Sequence, residues 1–109
     1  MNHRDITHPD GRLWYSFERE GPRITEFAVQ LECWVGGEWK QVVRFDHDPE
    51  THDIRTEGLH MDVYRAGEKH HIERGFPRLN PNAGMNFSIS YLQARNERLI
   101  ERYKSWLNK

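Results

Sequence analysis

Cysteine is almost missing from this chain of 109 residues: Cys33 stands alone. A lone thiol excludes an intramolecular disulfide, and one chain cannot assemble a cysteine-based zinc site or an iron–sulfur cluster from it. This usage fits a reducing cytoplasm. Long apolar runs are missing too. Nothing approaches the roughly 20 residues of a membrane span, and the opening MNHRDITHPDG has no signal-peptide core, so a cytoplasmic location without membrane contact is expected. Charge of one sign is not in excess. The formal net charge of -1 leaves no overall basic footprint, which argues against a duplex DNA binder. Glycine-rich phosphate loops, GxSxG, CxxC, HExxH and EF-hand spacings are all absent, so nucleotide-dependent and serine-hydrolase chemistry are disfavoured and no cofactor is expected.

Aromatic residues are plentiful: four Trp, four Tyr and five Phe supply the large anchors that disordered chains lack. A chain of this size buries roughly 65% of its unfolded surface, enough for one core, so residues 1–109 read as a single domain. Seven histidines make its surface charge sensitive to acidification near their ordinary pKa of about 6.5.

Residues 1–11 are polar and end in the turn signal Pro9-Asp10-Gly11, the pattern of a loose N-terminal arm. LWYSFER then alternates Leu13, Tyr15 and Phe17 against Trp14, Ser16 and Glu18, as a half-buried strand does. The clearest strand runs from Ile24 to Val35, with Phe27, Val29, Leu31 and Cys33 inward and Glu26, Ala28, Gln30 and Glu32 outward. After Gly36-Gly37, EWKQVVRFD alternates again, with Trp39, Val43 and Phe45 on one side and Lys40, Val42, Arg44 and Asp46 on the other. A two-residue Gly-Gly loop would set the apolar sides of these two strands on opposite faces. A three-residue or bulged loop at Val35–Glu38 is therefore expected, placing Arg44 and Asp46 beside Gln30 and Glu32. LHMDVYR and EKHHIER form a second hairpin about Ala66-Gly67, pairing Tyr64 with Lys69, Asp62 with His71 and Val63 with His70. GFPRLNPNAGMN reads as a long loop over residues 74–87. A helix follows from Ser88 or Ser90 to Leu107, with Ile89, Leu92, Leu99, Tyr103 and Trp106 in its apolar stripe and a Ser90–Gln93 capping box. The fold class is α+β: an antiparallel β-meander of about four to five strands packed against a C-terminal amphipathic helix.

Between Arg44 and Arg65, RFDHDPETHDIRTEGLHMDVYR crowds three histidines among six acids. In the second hairpin as drawn, His60, Asp62 and His71 converge on the outer face, with Tyr64 and Lys69 beside them. Opposed strand residues lie about 5 Å apart, near enough for Asp62 to orient a histidine as general base or acid, while Arg44 and Lys69 bind phosphate. That constellation suits metal-independent RNA cleavage. Outward polar alternation is also what any half-exposed strand shows. Asp46, His47, Asp48, His52 and Asp53 offer oxygen and imidazole ligands to a divalent ion, although a solvated acidic loop has the same composition. Arg95, Arg98 and Arg102 line one helix face, where their stems would cover the core edge. Cys33 faces inward as a buried hydrophobe.

The tryptophan-bearing hairpin, VVRFD, the histidine loop, the LHMDVYRAGEKH hairpin and the final amphipathic helix together resemble a small prokaryotic domain family of unknown function. More distantly they are similar to the TumE-like toxins of toxin–antitoxin systems. The likeness spans Phe27 to Trp106 and centres on Arg44, Phe45 and Asp46 with the histidines at 47 and 52. The more acidic loop and the Pro/Asn insertion after Arg74 depart from that pattern. The resemblance implies a compact α+β domain and an RNA-targeting toxin whose partners are RNA or a cognate antitoxin-like protein. The alternative is a non-enzymatic protein-interaction module that uses exposed Trp34 and the polar sheet face or edge.

Overall fold

The computed structural model describes residues 2–107. Six strands run in sequence order through one antiparallel sheet: β1 (Asn2–His8), β2 (Gly11–Glu20), β3 (Arg23–Val35), β4 (Glu38–His47), β5 (Met61–Arg65) and β6 (Glu68–Glu73). A short helix α1 (Ile54–Glu57) lies between β4 and β5, and the long helix α2 (Pro81–Leu107) closes the chain. The α+β meander expected from alternation is what forms. Its additional strand is β1, where a loose arm was expected. Polar residues 2–8 pair with β2 through backbone bonds, and a polar sequence suits an edge strand, whose ladder needs no buried side chains on its free side.

One face of the sheet is apolar and lies beneath α2. Leu13, Val29, Leu31, Val43, Phe45, Met61 and Val63 are fully buried, and α2 sets Leu92, Leu99, Ile100 and Tyr103 among the core residues. Each such side chain contributes about 1.5–3 kcal/mol relative to exposure. Cys33 is buried here, and burial pushes its thiol pKa up, as befits an inert packing residue.

The helix starts at Pro81, earlier than the Ser88 or Ser90 expected, so the long loop shrinks to residues 74–80. Asn80 is the cap: its side-chain oxygen accepts from Ala83 N–H at 2.9 Å, and Pro81 follows it at the first helical position, where a missing N–H costs nothing. Gly84 belongs to this first stretch because a Cβ there would meet Ile54 Cδ1 at 2.6 Å. Asn82 ties the helix start to the β2–β3 turn, donating to Pro22 O at 2.9 Å and accepting from Ile24 N–H at 2.8 Å.

Two hairpins depart from the expected register, each by one residue. Gly36 and Gly37 do form a two-residue turn, both with positive φ, and the face conflict is repaired instead by a bulge at Val42 inside β4. Val35 pairs with Glu38 and Cys33 with Lys40 before the bulge, and Leu31 pairs with Val43 after it. Trp39 consequently joins Trp34 on the outer face, opposite Val43 and Phe45, while Arg44 and Asp46 reach the outer face as expected. In the second hairpin the turn is Ala66-Gly67 and Tyr64 pairs with Lys69, as drawn. A bulge at His70 then pairs Val63 with His71 and Asp62 with Ile72. His71 is thereby turned to the helix side.

Candidate functional site: the open face of the sheet

Alternation leaves the sheet face away from α2 polar, and its side chains form a continuous network. Gln30, buried at the centre, donates to Glu32 Oε2 at 2.6 Å and accepts at Oε1 from Gln41 Nε2 at 2.8 Å and Arg44 Nη1 at 3.2 Å. Arg12 Nε donates to Glu32 Oε1 at 2.5 Å, and its guanidinium lies 4.3 Å from the Trp39 ring centre, a cation–π distance. Arg44 Nε donates to Asp46 Oδ2 at 3.1 Å. Across β2 to β6 one row reads Trp14, Gln30, Arg44, Asp62 and Ile72.

The expected site residues come together only in part. His60 and Asp62 are 6% and 4% exposed, with His60 Nε2 3.7 Å from Asp62 Oδ1, beyond hydrogen-bond length. Lys69 Nζ lies 3.3 Å from Asp62 Oδ2, and Arg44 is the cross-strand neighbour of Asp62. His71 is not among them. Its Nε2 pairs with Glu73 at 2.8 Å and its Nδ1 with His70 Nδ1 at 2.6 Å, and both rings pack against Trp106 of α2. Glu73 also accepts from Arg102 at 3.0 Å; burial raises its pKa, but hydrogen bonds from His71 and Arg102 outweigh it and hold the carboxyl below its ordinary value. Asp62 Oδ1 and His60 Nδ1, both buried, have no hydrogen-bond partner among the described residues. Tyr64 stands over this group. Burial and then the neighbouring Asp62 push its pKa up.

The acidic loop after β4 is held by local bonds. His47, 2% exposed, accepts the Ile54 N–H at Nδ1 at 3.2 Å, and burial lowers its pKa, so the ring is neutral with its proton on Nε2. Asp53 caps α1 by accepting from Arg55 N–H at 2.9 Å and binds the Arg55 side chain as well, which lowers its pKa to about 2. Asp46 is engaged by Arg44, and Asp48 accepts from Glu50 N–H at 2.9 Å. Among the described residues no three His, Cys, Asp or Glu side chains form a set able to hold a metal ion.

Beside this loop the open face is hollowed. Ser16 and Ala28 pair across β2 and β3, and these small side chains leave a pocket of about 370 Å³ bounded by Glu18, Glu26, Arg44, Asp46 and Asp48. Glu18 and Glu26 are direct cross-strand neighbours and exposed. Sequence reading passed over them, although equal alternation on both sides of Gly21-Pro22 puts the two on one face. His47 reads from the sequence as a candidate metal ligand and as part of the likeness centred on Arg44, Phe45 and Asp46. Its anchoring role depends on the turn that returns Ile54 to it.

A domain model described as a domain of unknown function, DUF7718, matches residues 2–109. The chain belongs to this family. No curated protein and no solved structure matches it. The DUF7718 match includes β1, so the edge strand that the sequence disguised as an arm is part of the family's domain. Among the described residues no helix is long and apolar enough to cross a membrane.

Proposed function

We propose that the chain is a non-enzymatic interaction module that receives a partner on the open face of its sheet. One observation carries this reading: across the middle of the face, three cations that a phosphate-binding surface would present are already engaged by acids of the same face. Arg12 is bound to Glu32, Arg44 to Asp46 and Lys69 to Asp62, at 2.5, 3.1 and 3.3 Å. A partner meeting these matched pairs is selected by pattern more than by net charge. Trp14 and Trp39 add aromatic surface of the kind that anchors interfaces.

A second reading rests on His60 and Asp62. Their proximity, with Lys69 alongside, supports RNA-directed, metal-independent chemistry of the toxin–antitoxin kind in a prokaryotic cell, with His60 as base, Asp62 orienting it and Lys69 facing phosphate. His71 has no place in that scheme.

Both readings meet in one experiment. Isotope-labelled protein is titrated with a U-rich oligoribonucleotide and with short arginine-bearing and glutamate-bearing peptides, following the indole N–H signals. The module reading expects a partner to shift Trp14 and Trp39 and not Trp106, with the RNA left intact. RNA cleavage that disappears in His60→Ala would overturn it in favour of the second reading.

A further inference from the structure

A second hollow, of about 780 Å³, lies on the α2 side of the sheet, enclosed by the β2–β3 turn, the end of β4, α1 and the start of α2. The 27-residue helix α2 begins at this hollow, where its dipole leaves a partial positive charge, and no acidic residue stands in its first turn to offset it. Asn80 takes the amides of Ala83 and Gly84, and Pro81 has none. The Asn82 N–H therefore remains, donating to no group among the described residues. His47 supplies a second, independent observation. Its ring is 2% exposed and lines the same pocket. It stands on the α2 side of the sheet because His47 pairs with the core residue Phe27, and the two rings lie 5.9 Å apart. Its Nδ1 accepts the Ile54 N–H, so its proton is on Nε2, and that N–H has no acceptor among the described residues. A buried donor without an acceptor is costly, and a ligand oxygen would relieve it.

Two guanidinium groups border the same space. Arg55 gives Nε and Nη2 to Asp53, which leaves its Nη1 without an acceptor among the described residues. Arg23 meets Glu20, the one acid on these walls, at 3.4 Å with both side chains exposed, a pair that water screens. We infer that this pocket binds the oxyanion group of a small molecule, a carboxylate or a phosphate, with the Asn82 amide and His47 Nε2 donating to it and Arg23 and Arg55 supplying charge. Helix N-termini favour such anions, and guanidinium groups strengthen the contact through charge-assisted hydrogen bonds. A cation would meet donors where it needs acceptors, and an apolar ligand would leave those donors unmatched. The hollow is larger than a bare ion requires and has Ile24 and Pro81 in its wall, so the anionic group arrives on a larger organic molecule. This site stands apart from the open face and does not rest on the reading of that face.

The test titrates isotope-labelled protein with sodium phosphate and with sodium acetate, each replacing sodium chloride at pH 7 and constant ionic strength. The wild type is compared with Arg23→Gln and with Arg98→Gln. Arg98 is exposed farther along α2, and its replacement changes net charge equally. At least one oxyanion should shift the Asn82 and Ala83 amides and the His47 Nε2–H to saturation, and the tighter of the two tells a phosphate ester from a carboxylate. Affinity should fall about fivefold in Arg23→Gln, the effect of losing one exposed charge contact, and stay unchanged in Arg98→Gln. Because Arg23 is exposed and its pair with Glu20 is screened, the melting temperature of Arg23→Gln should match that of the wild type, so weaker binding there cannot be ascribed to unfolding. Equal weakening in both variants would reduce the effect to general charge attraction and overturn the inference. The absence of a saturable shift with either oxyanion would also overturn it, as would shifts confined to the open face.

Discussion

The β3–β4 and β5–β6 hairpins are built alike and end differently. Each turns through two residues with positive φ, and each carries one bulged residue on its second strand. In the first, the bulged Val42 is buried, and the shift keeps Val43 and Phe45 in the core while delivering Arg44 and Asp46 to the open face. In the second, the bulged His70 is exposed, and the shift takes His71 off that face and brings it to α2. A bulge is therefore a choice of face, made by packing in one hairpin and by side-chain pairing at the rim in the other.

Deleting Val42 should break the likeness most sharply. The strand pairing on both sides survives the deletion, but a buried valine is lost from the core, so stability should fall by about 2–3 kcal/mol in chemical denaturation. Next in size is His47→Leu at the end of β4, which strands the Ile54 N–H and should cost about 1–2 kcal/mol. This variant also tests acid sensitivity. The folded His47 pKa is depressed, so the unfolded state binds the extra proton, and stability present above about pH 6.5 is lost as the pH falls toward the folded value. Denaturation at pH 7 and at pH 5 should differ less in His47→Leu than in the wild type. Smaller again is Ala66→Asn: Ala66 has φ 52° where the first hairpin has Gly36, and a residue that tolerates this region should add about 0.5–1 kcal/mol. Deleting His70 should change least, within about 0.5 kcal/mol, because an exposed residue leaves a ladder already in register. A cost matching that of Val42 would mean that the His70–Trp106 packing holds β6 in place.

The same contrast explains what the amino acids disclosed. Strand existence was legible wherever large apolar residues alternate, as in Phe27, Val29 and Leu31, and the conflict of faces about Gly36-Gly37 was legible as a conflict. Where it would be relieved was not, because VV in β4 offers two apolar residues in succession and only packing chooses which is extra. HH in β6 hid its bulge in the same way. Parity alone therefore brought His71 beside Asp62. Lys69, nearer the turn than the bulge, was assigned to the correct face. At the helix start, Asn80-Pro81 signals a turn and a cap equally, and Gly84 weakens a helical pattern until the close approach of Ile54 is known. His60 and Asp62 read as outward residues of a half-exposed strand, yet both are buried, because alternation gives a residue its face and not its exposure.

The sequential order of the six strands bears on how the chain reaches this state. Every ladder joins neighbours along the chain, so the sheet can grow strand by strand, each addition closing a tight turn or, between β4 and β5, the longer connection that holds α1. Helix α2 differs, since its final turns reach back to the β1–β2 turn through the Lys104–Asp10 ion pair. That contact spans nearly the whole chain and cannot form until α2 has been made. Early in synthesis the apolar face of the sheet therefore lacks its cover, and the interval before α2 docks is when the chain is most exposed to aggregation.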